Sequence, residues 1–133
     1  MLTGDKLETA VSISQSTSLF PVAAELLFLT GHSATDIQRE LENAHARISD
    51  PQASTIMFGL VIEGDSLELI IISPEIQSMF VKVSIACKSV LCCRVNARQK
   101  ANVVGIIKKH LSAITLSIGD GANDVRYYNN DAV

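Results

Sequence analysis

No uninterrupted apolar run in this sequence approaches the ~20 residues that crossing a bilayer requires. The longest apolar stretch, Ile56 to Ile72, is broken by Glu63, Gly64, Asp65 and Glu68. The first residues lack the basic and then apolar build of a signal peptide. Basic excess is missing as well. With 11 Lys and Arg against 14 Asp and Glu, the formal charge is -3, which rules out a strongly basic nucleic-acid footprint. Cys87, Cys92 and Cys93 form no C-x-x-C spacing, and His32, His45 and His110 form no H-x-x-x-H pair. Neither a zinc site nor a disulfide framework is expected. On a strand, the adjacent Cys92 and Cys93 point to opposite faces, as buried thiols packing like small hydrophobes. No internal repeat or low-complexity segment stands out.

What is present is the composition of a soluble domain. The 133 residues suffice for one compact unit and not for two. An apolar share of 47% against 19% charged argues against intrinsic disorder.

Helix and strand periods alternate along the chain. A helix is predicted over about Lys6 to Leu19, with Asp5 and Glu8 spaced as a capping box. Ala24 to Thr30 reads as a buried strand closed by Gly31. Thr35 or Asp36 can cap a helix with the stripe Ile37, Leu41, Ala44 and Ile48, and residues 49–55 form a loop. Ile56 to Ile62 is a strand turning at Glu63-Gly64-Asp65, and residues 66–73 fit either period. Pro74 to Cys87 is helical, with Pro74 tolerated in the first turn. Val90 to Val95 is a strand, Ala97 to Leu111 a helix and Ala113 to Ile118 a last strand. Strands alternating with crossover helices imply an α/β fold, a mostly parallel sheet covered on both faces.

Ligands of open parallel sheets sit outside the carboxyl ends of the strands, and three polar groups fall there. Thr3-Gly4-Asp5 precedes a helix, where a hydroxyl beside free amides either contacts a phosphate or simply caps the helix. Asn96 and Gln99 form an N-x-x-Q cap that places Lys100 in a first helical turn, with Arg94 just upstream. A cation there opposes the helix dipole by about 0.3–1 kcal/mol, so it fits best where it answers an anion. Arg98 reads as solvated, and Lys108 and Lys109 sit at the favourable end of the same helix. Asp120, Asn123 and Asp124 put three oxygen-bearing side chains at a strand end. They suit magnesium, held by one or two carboxylates plus phosphate and water, or else a turn and a cap.

Together these segments resemble a known family. Thr3-Gly4-Asp5-Lys6-x-Glu8-Thr9-Ala10, Val61-Ile62-Glu63-Gly64-x-Ser66-Leu67, Cys87-Lys88-Ser89-Val90-Leu91-Cys92-Cys93-Arg94-Val95, Gln99-Lys100-Ala101 and Thr115-Leu116-Ser117-Ile118-Gly119-Asp120-Gly121-Ala122-Asn123-Asp124-Val125 occur in family order and spacing. They are similar to the phosphorylation domain of P-type ATPases, in the phospholipid-flippase class. Gly-Asp-Gly-x-Asn-Asp alone is shared with haloacid-dehalogenase-type phosphatases. The Cys-Cys-Arg-Val strand and the Ala-Asn-Asp-Val ending resemble flippases rather than cation pumps.

The resemblance implies a Rossmann-like, haloacid-dehalogenase-type parallel sheet. It also implies that Thr3 contacts the phosphoryl group in a loop shaped by Gly4 and Asp5, and that Lys100 neutralises phosphoryl charge. Asp120 binds magnesium, Asn123 and Asp124 complete the metal and phosphate network, and Arg94 lies at the nucleotide-facing edge. Magnesium and ATP are the implied cofactor and substrate of the parent enzyme.

The family's nucleophile belongs to an Asp-Lys-Thr-Gly-Thr motif that occurs nowhere in these residues. The sheet is therefore expected to be incomplete, without its first, nucleophile-bearing strand. The expected organisation is a partial phosphorylation domain over 1–125 and a polar, loose tail over 126–133. The chain itself is expected to be an inactive, soluble, cytosolic fragment. Its partners are the nucleotide-binding, actuator and membrane parts of a flippase whose phosphorylation domain faces the cytosol, and the phospholipid only through the membrane part. Asn96-Ala97-Arg98 replaces the family's Ser-Pro-x before Gln-Lys, and Arg126-Tyr127-Tyr128 replaces Ser-Met-Ile after Val125. The rivals are a haloacid-dehalogenase-type phosphatase, which lacks its aspartate nucleophile equally, and a degenerate paralogue serving as an interaction module.

Overall fold

A computed structural model describes residues 1–119 and 121–124. The elements run α1 (Leu7–Ser16), β1 (Glu25–Leu29), α2 (Ala34–Ile48), β2 (Phe58–Glu63), α3 (Gly64–Ile72), α4 (Pro74–Ala86), β3 (Ser89–Cys93) and α5 (Ala97–Leu111). The strands form a parallel sheet in the order β1-β2-β3, with Leu27 opposite Leu60 and Leu60 opposite Val90. Leu2 adds a parallel bridge to Cys92 at the β3 edge. There the Met1 carbonyl accepts the Cys92 N–H, and the Thr3 N–H donates to the Cys92 carbonyl, both at 2.9 Å.

The period of two along each strand sorts the core into two layers. Leu29, Leu60, Ile62 and Cys92 face Ile37 and Leu41 of α2, Leu67 and Ile70 of α3, Phe80 and Val83 of α4 and Val103 and Ile106 of α5. Val61, Leu91 and Cys93 face Ala10 of α1 and Phe20. The two cysteines do face opposite sides. From the Leu2 edge the chain crosses one face through α1 to β1, then steps back strand by strand with α2 to α4 on the other face. Opposite travel on opposite faces is what a single crossover hand requires. α5 packs on α3 and α4, in the same layer.

Several expectations need correction. The α1 N-cap is Lys6, without a side-chain cap bond; Asp5 lies one residue before it, in a loop where its N–H donates to the Thr3 hydroxyl at 3.2 Å and its carbonyl accepts the Arg94 N–H at 3.0 Å. Ser33 rather than Thr35 or Asp36 caps α2, its hydroxyl accepting the Asp36 N–H at 3.1 Å. Glu63-Gly64-Asp65 is not a turn, since α3 starts at Gly64 directly from β2. The expected last strand over 113–118 is absent: the described residues contain no fourth strand. Ile114, Leu116 and Ile118 are 103%, 86% and 83% exposed. The expectations for Val125 and the 126–133 tail lie outside the described residues.

Burial raises all three thiols, Cys87 to about 11 and Cys92 to about 12, with Cys93 raised as well. A neutral thiol in the folded chain ionises later than an unfolded one, whose pKa is about 8.5. Stability is therefore whole below about pH 8.5 and falls as pH rises toward 11 and 12, by up to about 1.4 kcal/mol per pH unit for each such group. Urea melts from pH 7 to 10.5 are expected to show this alkaline decline, and Cys→Ser variants to flatten it.

Candidate functional site

The carboxyl ends of the strands converge on one edge of the molecule. The Thr3-Gly4-Asp5 loop is stitched to the loop after β3: besides the Asp5–Arg94 bond, the Thr3 carbonyl accepts the Val95 N–H at 3.1 Å. A Cβ at Gly4 would meet the Val95 carbonyl at 3.7 Å, an ordinary contact. The loop after β3 then feeds α5 through a complete capping box. The Asn96 side chain accepts the Gln99 N–H at 2.9 Å, and the Gln99 side chain accepts the Asn96 N–H at 3.1 Å.

Lys100 follows in the first turn of α5, and the anion that answers it is Asp124. The ammonium meets the carboxylate at 2.8 Å, with the two side chains only 12% and 10% exposed. Asp124 closes a short 3-10 turn, Ala122–Asp124. Its other oxygen accepts the Gly121 N–H at 3.2 Å. A charge pair this far from water is favoured only when hydrogen bonds satisfy it as well, and the Gly121 amide provides one. Among the sequence-derived candidates, the structure thus joins Thr3 and Asp5 to the Arg94–Val95 loop through backbone, and Lys100 to Asp124 through side chains. Asp120 lies outside the described residues, as does the Asn123 side chain.

Arg94 carries backbone strain. Its φ is +53°, a left-handed conformation that costs a non-glycine residue about 1 kcal/mol or more. The geometry lets its N–H reach Asp5 while the guanidinium, 56% exposed, stands 3.8 Å from Glu63. Strain held at a strand end is a mark of functional sites. Glycine at this position is expected to be more stable than alanine by about 1 kcal/mol, since both lose the weak exposed pair and only glycine relieves the φ. Urea denaturation of R94G and R94A measures that difference directly.

A second cluster was not foreseen from sequence. The Gln99 Nε2 donates to the Gly64 carbonyl at 2.8 Å and to Glu68 at 3.2 Å. Glu68 also receives Arg98 at 2.6 Å, so Arg98 is paired rather than merely solvated. The N-x-x-Q spacing exposed the cap, but nothing local in it reveals a carbonyl 35 residues away. Among the described residues no group of three His, Cys, Asp or Glu could hold a metal, and no helix is long and apolar enough to cross a membrane.

The chain as a whole has counterparts among known proteins. Phospholipid-transporting ATPase 1 of Arabidopsis thaliana is 38% identical over 125 residues, covering 94% of this chain and 11% of its own length. Phospholipid-transporting ATPase DRS2 of Saccharomyces cerevisiae is 39% identical over 128 residues, covering 94% and 9%. The chain belongs to the phospholipid-transporting ATPase family. Phospholipid-transporting ATPase ID of Homo sapiens matches at 36% over 149 residues, covering 94% of this chain and 12% of the relative. The chain thus spans about a tenth of the length of these family members. No family model matches it. The incomplete parallel α/β sheet agrees with the fold that the resemblance implied.

Proposed function

We propose that this chain is the magnesium- and phosphoryl-binding part of a flippase phosphorylation domain, without the residue that becomes phosphorylated. The observation that supports it most is the enclosed Lys100–Asp124 pair, set at the strand ends beside the loop that ties Thr3-Gly4-Asp5 to Arg94 and Val95. Phosphoryl transfer depends on positioning and electrostatic stabilisation, and this edge supplies both. The Lys100 ammonium neutralises phosphoryl oxygens, the Thr3 hydroxyl donates to one of them, and Gly4 keeps the approach open. Arg94 presents an exposed cation at the nucleotide side.

The donor chemistry fits magnesium: Asp124 is one hard carboxylate, and magnesium takes one or two together with phosphate and water. Asp124, with Asp120, would hold the ion, which supplies charge neutralisation on the phosphoryl group when bound. Asp124 would contribute its carboxylate to the ion, and Lys100 would supply positive charge to the phosphoryl group.

In the parent enzyme, the γ-phosphoryl of ATP would pass to the aspartate with release of ADP, and the aspartyl-phosphate would drive a phospholipid between leaflets, with this domain on the cytosolic face. The nucleotide-binding, actuator and membrane parts are its partners. Covalent catalysis needs its nucleophile, so these 133 residues alone neither hydrolyse ATP nor move lipid. A second reading, a non-catalytic interaction module, is favoured by the exposed apolar side chains of Ile114 and Leu116, since exposed apolar surface marks interaction sites.

Titrating the chain with orthophosphate, with and without magnesium, tests the first reading by NMR. Saturable shifts at residues 3–5 and 97–101 that strengthen with magnesium are expected. A flat titration contradicts it, and sedimentation showing a specific oligomer then favours the second.

A further inference from the structure

We infer that Gln99 is the positioning residue for Lys100: its buried amide clips the start of α5 to the start of α3 and so fixes where the ammonium stands. The inference rests on the phosphoryl-site reading for its purpose, but not for its geometry.

Gln99 is only 6% exposed, and its amide is used at both ends. The oxygen accepts the Asn96 N–H at 3.1 Å, and the nitrogen donates to the Gly64 carbonyl at 2.8 Å and to Glu68 at 3.2 Å. The orientation is forced, because a backbone N–H lies on one side and two acceptors on the other. A cap alone needs only the first of these bonds. The other two tie α5 to the β2–α3 junction, where Gly64 is packed directly against the Arg94 carbonyl with no room for a Cβ. Glu68 holds Arg98 as well, at 2.6 Å, so two consecutive residues of the first turn are fastened to α3. Lys100 comes next, its N–H on the Asn96 carbonyl at 3.0 Å, and its side chain leaves this fastened turn to reach Asp124. A first turn free to slide or fray would carry the ammonium away from the carboxylate.

The test is amine labelling of the full chain with a small acylating reagent, followed by peptide mass spectrometry, with Lys82 and Lys88 as internal standards. In the wild type, Lys100 is expected to label more slowly than either. Q99M keeps the volume and loses the amide bonds. It is expected to raise Lys100 labelling roughly tenfold relative to those standards, equivalent to about 1.4 kcal/mol.

Q99E places a carboxylate against Glu68 and is expected to raise labelling likewise, also where Q99M fails to fold. Adding E68Q to Q99E restores a donor–acceptor pair and is expected to bring Lys100 labelling back toward the wild-type value. A helix that is merely less stable would raise labelling at Lys100, Lys108 and Lys109 alike, without that rescue. Unchanged Lys100 labelling in Q99E, or equal increases along α5, overturns the inference. No phosphate is needed for labelling, so the outcome is independent of the phosphate titration.

Discussion

Replacing Lys100 with methionine is expected to cost about 3 kcal/mol, the lower end of what breaking a buried ion pair costs, and to abolish saturable phosphate binding. The loss comes from what stays behind. Asp124 is 7% exposed, and without the ammonium at 2.8 Å its buried charge loses its cationic partner Lys100 and keeps the Gly121 amide as a neutral donor. An exposed pair would be worth about 0–1 kcal/mol, so the size of the effect reports enclosure.

D124N is expected to destabilise by a similar mechanism, leaving Lys100 uncompensated. The double variant K100M/D124N removes both charges and is expected to recover much of the stability, because neutralising both members of a buried pair costs little. It is not expected to recover phosphate binding. Urea melts and phosphate titrations of the four proteins separate the two roles.

The second large effect is expected at Gly64. A Cβ there would collide with the Arg94 carbonyl oxygen, which is backbone and cannot swing aside, and would stand 3.5 Å from the Gln99 side-chain oxygen. G64A is expected to destabilise by about 2–3 kcal/mol, the upper range for inserting volume into a packed site, and to lower the melting temperature by roughly 10 °C. The contrast is Gly105, around which a Cβ meets nothing within 4 Å. Alanine there raises helix propensity and is expected to stabilise α5 by about 0.5–1 kcal/mol. Differential scanning calorimetry of the pair measures both signs.

The parts of this fold that the sequence made legible are those fixed by local rules. α5 spans Ala97–Leu111 as expected because its cap, its stripe and its basic last turn all agree. The stripe of α2 is buried at Ile37, Leu41 and Ala44 because its opposite face is charged. α3 carries no such contrast. Gly64, Ser66, Leu67 and Ile70 are buried in a helix that is apolar nearly all round, so its period could not be told from a strand. The 113–118 segment shows the reverse case, a clear period of two that forms no strand of the described sheet.

At the site, the same division holds. Charge at the wrong end of a helix pointed to an anion for Lys100, but that Asp124 is that anion was not legible, because the resemblance placed Asp124 only in the metal and phosphate network. The Gln99–Gly64 clip and the strained φ of Arg94 arise from two loops meeting in space, which neither loop's sequence records.

Amide hydrogen exchange on the intact 133-residue chain tests the central claim most directly, run with and without magnesium and orthophosphate. The account predicts strong protection across β1, β2 and β3 without ligand. It also predicts added protection at residues 3–5, 97–101 and 121–124 when both ligands are present, and that K100M erases the added part alone. Ligand-independent exchange at those three segments, in a chain whose strands are protected, would contradict it.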